Sequence, residues 1–237
     1  MTSGPAFWAV VPAAGTGSRM GAATPKQYLA LAGQAVLQRS IDALLAFESM
    51  SAVVVALADG DPFWDALPAA RDARVITTLG GAERGDSVLA GLDSLAGRAQ
   101  ADDWVLVHDA ARPCLASEDL QRLVETVCED PVGGLLAIPV VETVKRSDAG
   151  QRVAETVPRG DLWLAQTPQM FRYGLLRAAL AGAVAQSVTV TDEASALEWA
   201  GHRPCLVPGR ASNIKITLPG DLRLAEHFID SIRDDRE

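Results

Sequence analysis

The sequence predicts a doubly wound, mainly parallel α/β sheet. Short, continuous apolar runs alternate with apolar stripes at helical spacing, and these β-α units recur every 25–30 residues or so, which favours right-handed crossovers. The first run also ends in a Gly-rich turn, at the carboxyl end of a strand where sheets of this kind place their ligands.

Phe7-Trp8-Ala9-Val10-Val11 is apolar throughout, as expected of a strand covered on both faces. Val36, Leu37, Ile41, Leu44 and Leu45 then recur at helical spacing. A second strand is predicted over Ala52–Ala58, closed by the turn Asp59-Gly60-Asp61-Pro62, and a third over Arg74–Leu79. Val88, Leu89, Leu92 and Leu95 mark a helix before the strand Trp104–Val107. Ser117 reads as an N-cap with Glu118 and Asp119 in the first turn of a helix carrying Leu120, Leu123, Val124 and Val127. Gly133–Val140 supplies another strand. The polar stretch 142–158 breaks the rhythm around the turn Ser147-Asp148-Ala149-Gly150 and reads as a projecting hairpin arm. An isolated two-stranded ribbon is marginal in water, so a partner surface is expected, most simply a second copy of the chain. Thr191-Asp192-Glu193 opens a helix closed by Gly201, Pro204–Val207 can form a strand, and Pro219–Ile232 is a closing amphipathic helix. Residues 1–237 are read as one domain.

Composition narrows the function. The chain has 237 residues, 49% of them apolar and 22% charged, which opposes disorder. Three cysteines without a close pair (Cys114, Cys128, Cys205) oppose a disulfide scaffold and a Cys-rich zinc site and point to a reducing compartment. No apolar run is long enough to span a bilayer, and the N-terminus lacks the features of a secretion signal, so a cytoplasmic protein with no membrane partner is expected. The net charge of −9 disfavours nucleic acid and requires any phosphate site to concentrate its cations locally.

Pro12-Ala13-Ala14-Gly15-Thr16-Gly17-Ser18-Arg19-Met20 is the strongest local signal. Small residues after a buried strand let main-chain N–H groups surround a phosphate, and Arg19 and Lys26 could bracket a polyphosphate. The alternative is an ordinary strand-to-helix turn with solvated charges. Met20 stands where both the dinucleotide fingerprint and the P-loop need glycine, so neither motif fits. Gly80-Gly81-Ala82-Glu83-Arg84-Gly85-Asp86-Ser87 could read a base edge or phosphate through its backbone and Ser87, or could be a turn capped by Asp86 or Ser87. In His108-Asp109-Ala110-Ala111-Arg112-Pro113, Asp109 suits a magnesium ligand, whereas a surface pair with Arg112 needs no function. His108 faces away from a ligand if the strand continues, as a structural histidine would. Lys215, alternating with Ile214 and Ile216, faces either solvent or a cleft.

These motifs, with Pro25-Lys26-Gln27, Gln166-Thr167-Pro168-Gln169, Thr191-Asp192-Glu193-Ala194-Ser195 and Asn213-Ile214-Lys215-Ile216-Thr217, occur in an order that resembles the 2-C-methyl-D-erythritol 4-phosphate cytidylyltransferase family over nearly the whole chain. The resemblance implies a monofunctional, homodimeric nucleotidyltransferase with a Rossmann-like fold and an interlocking arm, using CTP and Mg²⁺. It also implies residue roles. Arg19 and Lys26 would stabilise the transition state; Arg159 and Lys215 would position the acceptor phosphate with Thr143, Thr167 and Arg112. Ala13, Ala14, Gly15, Gly17, Gly81, Ser87, Asp109 and Ala110 would hold CTP, with Asp109 on the metal. Glu142 stands before Thr143 in the arm where aspartate is expected, and Ala82 follows the Gly pair where some members carry aspartate; if an acid at that position helps to read cytosine, main-chain groups must serve instead. A ribitol-5-phosphate cytidylyltransferase would share the CTP half of the motif set, and a non-catalytic nucleotide-binding regulator would share the fold.

Overall fold

The computed structural model describes residues 4–15 and 24–234. The chain opens with β1 (Phe7–Pro12), a tight pair of two-residue strands, β2 (Ala30–Leu31) and β3 (Gln34–Ala35), and helix α1 (Val36–Leu45). Then come β4 (Met50–Leu57), β5 (Val75–Leu79), α2 (Arg84–Ser94), β6 (Trp104–Val107), α3 (Ser117–Cys128) and β7 (Gly133–Pro139). The hairpin β8 (Val144–Ser147) and β9 (Val153–Val157) precedes β10 (Trp163–Arg172), α4 (Tyr173–Ala185), α5 (Glu193–Trp199), β11 (Cys205–Pro208) and α6 (Asp221–Asp234).

Seven strands form one sheet in the order β11-β7-β10-β6-β1-β4-β5. β1 runs parallel to β4 and β6, β4 to β5, and β7 to β11; β10 is antiparallel to both its neighbours. Period-two alternation explains why the strand sequences are apolar throughout. Ala9, Val11, Val53, Val55 and Leu106 pack under Leu37, Ile41 and Leu44 of α1 and Leu120, Leu123 and Val127 of α3. Val10, Val54, Val105 and Val107 point the other way, onto Val88 and Leu92 of α2, Leu176 and Leu180 of α4 and Leu197 of α5. A third cluster joins Leu31, Val36, Ala111 and Ile216 to Ala225 and Ile229 of α6, which clamps the segment before that helix. Among the described residues, no helix is long and apolar enough to cross a membrane.

Several sequence expectations need correction. β10 and α4 were not anticipated: β10 buries Gln166, Thr167 and Gln169 around a Pro and a register irregularity, and the Thr167–Pro168 peptide is cis. Ala116, not Ser117, is the N-cap residue of α3, because Ser117 already has helical geometry. α2 starts at Arg84, so neither Asp86 nor Ser87 is its cap residue; the Asp86 carboxylate instead accepts the N–H of the N-cap residue Glu83 at 3.1 Å. Residues 213–217 form a loop.

The hairpin expected over 142–158 is present, pairing Val144 with Val157 through to Ser147 with Val153. Its turn is closed by Asp148, whose carboxylate accepts the N–H groups of Gly150 and Arg152, both at 2.9 Å. Val141 and Val153 are exposed.

Candidate functional site

The chain leaves β1 for β4 and β5 on one side, then returns to place β6 on the other. That reversal opens a crevice at the carboxyl ends of β1 and β6. A cleft of about 220 Å³ occupies it, lined by the loop after β1, the turn before α2, the turn after β6 and Lys215. A second cleft of about 190 Å³ lies towards β10 and shares Arg84, Asp109 and Lys215 with the first.

The loop after β1 is shaped from below. The Gln27 amide, buried in the short helical turn Lys26–Tyr28, donates to the carbonyls of Ala13 at 2.9 Å and Gly15 at 2.8 Å. Both carbonyls are thereby engaged, which fixes the path of the loop. Opposite, Gly80 and Gly81 pass so close to the neighbouring elements that a Cβ would lie 2.5 Å from the Ala14 Cβ and 2.2 Å from the Asp86 Cβ respectively. Ser87 Oγ accepts the Gly81 N–H at 3.1 Å, which fixes that turn. Lys26 Nζ donates to the Ile216 carbonyl at 2.9 Å, joining the β1 side of the cleft to the 213–217 segment. Ile216 is fully buried, and its N–H donates to the Ala111 carbonyl at 2.8 Å, so Lys215 beside it is aimed into the cleft.

Asp109 is the hub. Its side chain is 8% exposed and meets three cations: Arg84 Nε at 3.1 Å, Lys215 Nζ at 2.9 Å and Arg112 Nε at 3.5 Å. Burial pushes the Asp109 carboxyl up, but Arg84, Lys215 and Arg112 outweigh burial and hold it well below the usual carboxylate range. The Asp109–Arg112 pair is therefore buried, not the surface contact that sequence alone allows. Arg112 also donates to the carbonyls of Asn213 at 2.6 Å and Ala165 at 3.4 Å. Burial lowers the Arg112 pKa, against the pull of Asp109.

The turn after β6 is held by a directional chain. The Asp109 N–H donates to Thr167 Oγ1 at 3.0 Å; that hydroxyl lies 3.0 Å from His108 Nδ1, and His108 Nε2 lies 3.0 Å from the Arg112 carbonyl. A carbonyl can only accept, so the proton is assigned to Nε2 and the Thr167 hydroxyl donates to Nδ1. Burial lowers the His108 pKa to about 4 and keeps the ring neutral. His108 is a structural group, and the hydroxyl of Thr167 is already engaged, although Thr167 borders the second cleft.

The structure thus brings together Ala13, Ala14, Gly15, Lys26, Gly81, Ser87, Asp109, Ala110 and Lys215 at the first cleft, and Arg112 and Thr167 at the second. Thr143 and Arg159 lie on and beside the arm; both are exposed and neither lines these clefts, and Arg159 donates to the Val141 carbonyl. Gly17 and Arg19 lie outside the described residues. Sequence reasoning missed Gln27, Arg84 and Glu193, although each sits within or beside a motif it singled out. Mg²⁺ favours one or two carboxylates completed by phosphate oxygens. Both oxygens of Asp109 are engaged by Arg84, Lys215 and Arg112, so an ion beside it would have to be held chiefly by substrate phosphates; no cluster of three or more His, Cys, Asp or Glu that could cage a metal occurs among the described residues.

Small-residue loops and converging cations at a topological switch point define a nucleotide-binding α/β protein built to handle phosphates. The comparisons specify its kind. The chain belongs to the 2-C-methyl-D-erythritol 4-phosphate cytidylyltransferase (IspD) family, whose sequence model matches residues 7–231. It is 57% identical to the enzyme of that name from Pseudomonas aeruginosa strain UCBPP-PA14 over 94% of this chain and 97% of the relative. It is 58% identical to the one from Ectopseudomonas mendocina over 91% and 92%. A solved 4-diphosphocytidyl-2C-methyl-D-erythritol synthase matches with a TM-score of 0.83 at 38% identity, covering 97% of this chain and all of the other (100%). The Francisella tularensis 2-C-methyl-D-erythritol 4-phosphate cytidylyltransferase matches at 0.82 and 34%, covering 94% and 99%.

His108 makes stability depend on pH with a definite sign. Its folded pKa of about 4 lies below the ordinary 6.5, so the unfolded chain binds the extra proton. The contribution is complete above pH 6.5 and is lost as pH falls towards 4, with a slope approaching 1.4 kcal/mol per pH unit, or about one proton. Urea unfolding between pH 7 and pH 5 should show this slope, and His108→Gln should flatten it.

Proposed function

We propose that this chain transfers the cytidylyl group of CTP to 2-C-methyl-D-erythritol 4-phosphate, releasing pyrophosphate. The observation that carries the reading is the pair of adjoining clefts with Asp109 and its cations at their seam, since two phosphorylated reactants must meet there. The family relationship supports CTP in the first cleft, beside the Ala13–Gly15 loop and Gly81, and the polyol phosphate in the second.

The chemistry is an in-line displacement. A phosphate oxygen of the acceptor forms a bond to the α-phosphorus of CTP, and the bond to the bridging oxygen of the β-phosphate breaks, the electron pair leaving with pyrophosphate. No protein nucleophile is needed. Catalysis then consists of positioning and of stabilising charge on the reacting phosphates. Lys26 and Arg19 take that electrostatic role, Lys215 holds the acceptor phosphate at the seam, and the backbone around Gly81, with Ser87 behind it, reads the cytosine. Mg²⁺, held by Asp109 and triphosphate oxygens, would supply charge neutralisation. The exposed hairpin arm supports a homodimer in which Thr143 and Arg159 complete the acceptor site of the partner. The reading places the protein among cytoplasmic enzymes of small metabolites.

Pyrophosphate release with CTP and a panel of polyol phosphates tests this directly. Methylerythritol phosphate should be the preferred acceptor; preference for ribitol 5-phosphate would reassign the substrate, and no release with any acceptor would leave a nucleotide-binding regulator. Lys26→Ala should lower kcat by about 3 kcal/mol of barrier or more while leaving the unfolding transition close to that of the parent. Near-normal turnover at saturating substrates would remove Lys26 from the reacting phosphates. Arg159→Ala should raise KM for the sugar phosphate far more than KM for CTP, which steady-state kinetics in both substrates will resolve.

A further inference from the structure

Arg84 borders both clefts, yet its charge does not face them unopposed. Two of its nitrogens hold the two oxygens of Glu193 at 2.6 and 3.0 Å, and its Nε donates to Asp109 at 3.1 Å. Three of the five N–H donors of the guanidinium are thus taken by carboxylates. The Glu193 side chain is only 1% exposed. Its place is set from β10: the Gln169 side chain accepts the Ala194 N–H at 2.8 Å and donates to the Asp192 carboxylate at 2.9 Å, pinning the residues on either side of Glu193. A buried carboxylate held this firmly is costly unless paired, and its partner is, among the described residues, the one arginine that spans both clefts.

Resting on the phosphate-site reading above, we infer that Glu193 is a positioning residue that masks the charge of Arg84, so that substrate phosphates engage Lys26 and Lys215 rather than the guanidinium. The physical reason lies in what an unmasked arginine would do at the seam. Its planar fork matches phosphate bidentately and would grip CTP, acceptor and pyrophosphate alike. Binding that is equally strong in substrate, product and transition state lowers KM without raising kcat, and it slows product departure. With Glu193 across one edge and Asp109 on another, Arg84 shapes the seam and keeps one oxygen of Asp109 for Lys215.

The test is calorimetric binding of inorganic pyrophosphate in the presence of Mg²⁺, with steady-state kinetics alongside. Glu193→Gln keeps the shape and removes the charge; it should tighten pyrophosphate binding about tenfold and lower both KM for CTP and kcat. Arg84→Gln/Glu193→Gln leaves the formal charge of the cluster unchanged and should return the pyrophosphate affinity to within about twofold of the parent. Unchanged pyrophosphate affinity in Glu193→Gln, with or without a loss of kcat that tracks the folded fraction, would reduce Glu193 to a structural residue and overturn the inference. Should Glu193→Gln fail to fold, the double variant decides alone, because a large loss of pyrophosphate affinity there would show that Arg84 already holds phosphate in the parent. A parent protein that binds no pyrophosphate would overturn the site reading and this inference with it, whereas parental binding with an unaltered Glu193→Gln overturns only the inference.

Discussion

A carboxylate taken out of water costs several kcal/mol unless opposite charges and hydrogen bonds compensate it. Asp109 is compensated by groups that come from three places: Arg84 at the start of α2, Arg112 in its own turn, and Lys215 in the loop before α6. The carboxylate therefore ties the two halves of the sheet together at the point where the strand order reverses. Without it, three cations would face one another across a narrow cleft, and both subsites would have to open. The structural ion pair and the functional site, which sequence reasoning sets against each other as alternatives, are one object. The charges that hold the turn after β6 also line the two clefts.

Neutral groups set the geometry of those charged ones. Thr167 and His108 fix the backbone of Asp109, Asn213 Nδ2 donates to the Thr167 carbonyl at 2.8 Å, and Gln27 fixes the β1 loop. β10 is central to this. It runs against the direction of its neighbours and carries Gln166, Thr167 and Gln169 into the interior, where each finds a partner from another segment. In a mainly parallel sheet whose central strands are largely apolar, this strand exchanges apolar packing for directional bonds. The exchange occurs where two clefts meet, as expected if side-chain directions must be held to fractions of an ångström.

The same exchange explains what the sequence could and could not disclose. β1, β4, β6 and β7 are legible because burial on both faces leaves an unbroken apolar run, and α1 and α3 because one face is polar. β10 is illegible to those rules: Pro168 and three buried polar side chains look like a loop until their distant partners are known. α4 buries Tyr173, Leu176 and Leu180, but Leu175, Ala178 and Val184 make its other face apolar too, so its stripe has little contrast. At the site, the residues after β1, β5 and β6 were found because glycines and charges at strand ends have a local meaning. Arg84 and Glu193 were not, since their pairing joins positions 109 residues apart and leaves no periodic trace. The Lys215 loop lay between: alternation predicted an extended segment, but only the burial of Ile216 decides which way the lysine points.

A chain of net charge −9 can still hold a triphosphate because the two fields act over different ranges. Surface carboxylates are screened within a Debye length of about 8 Å at physiological ionic strength. Charges inside a cleft walled by backbone and aliphatic side chains are screened far less, and the low local dielectric strengthens them. Among the described residues, Lys26, Arg84, Arg112 and Lys215 line the clefts together with Glu83, Asp109 and Asp192, and the buried Glu193 pairs with Arg84, so cations and carboxylates are balanced in number and placement decides what a ligand meets. What such a cleft offers an anionic ligand is therefore the placement of its cations rather than a net charge, because its walls leave the nearest cations least screened.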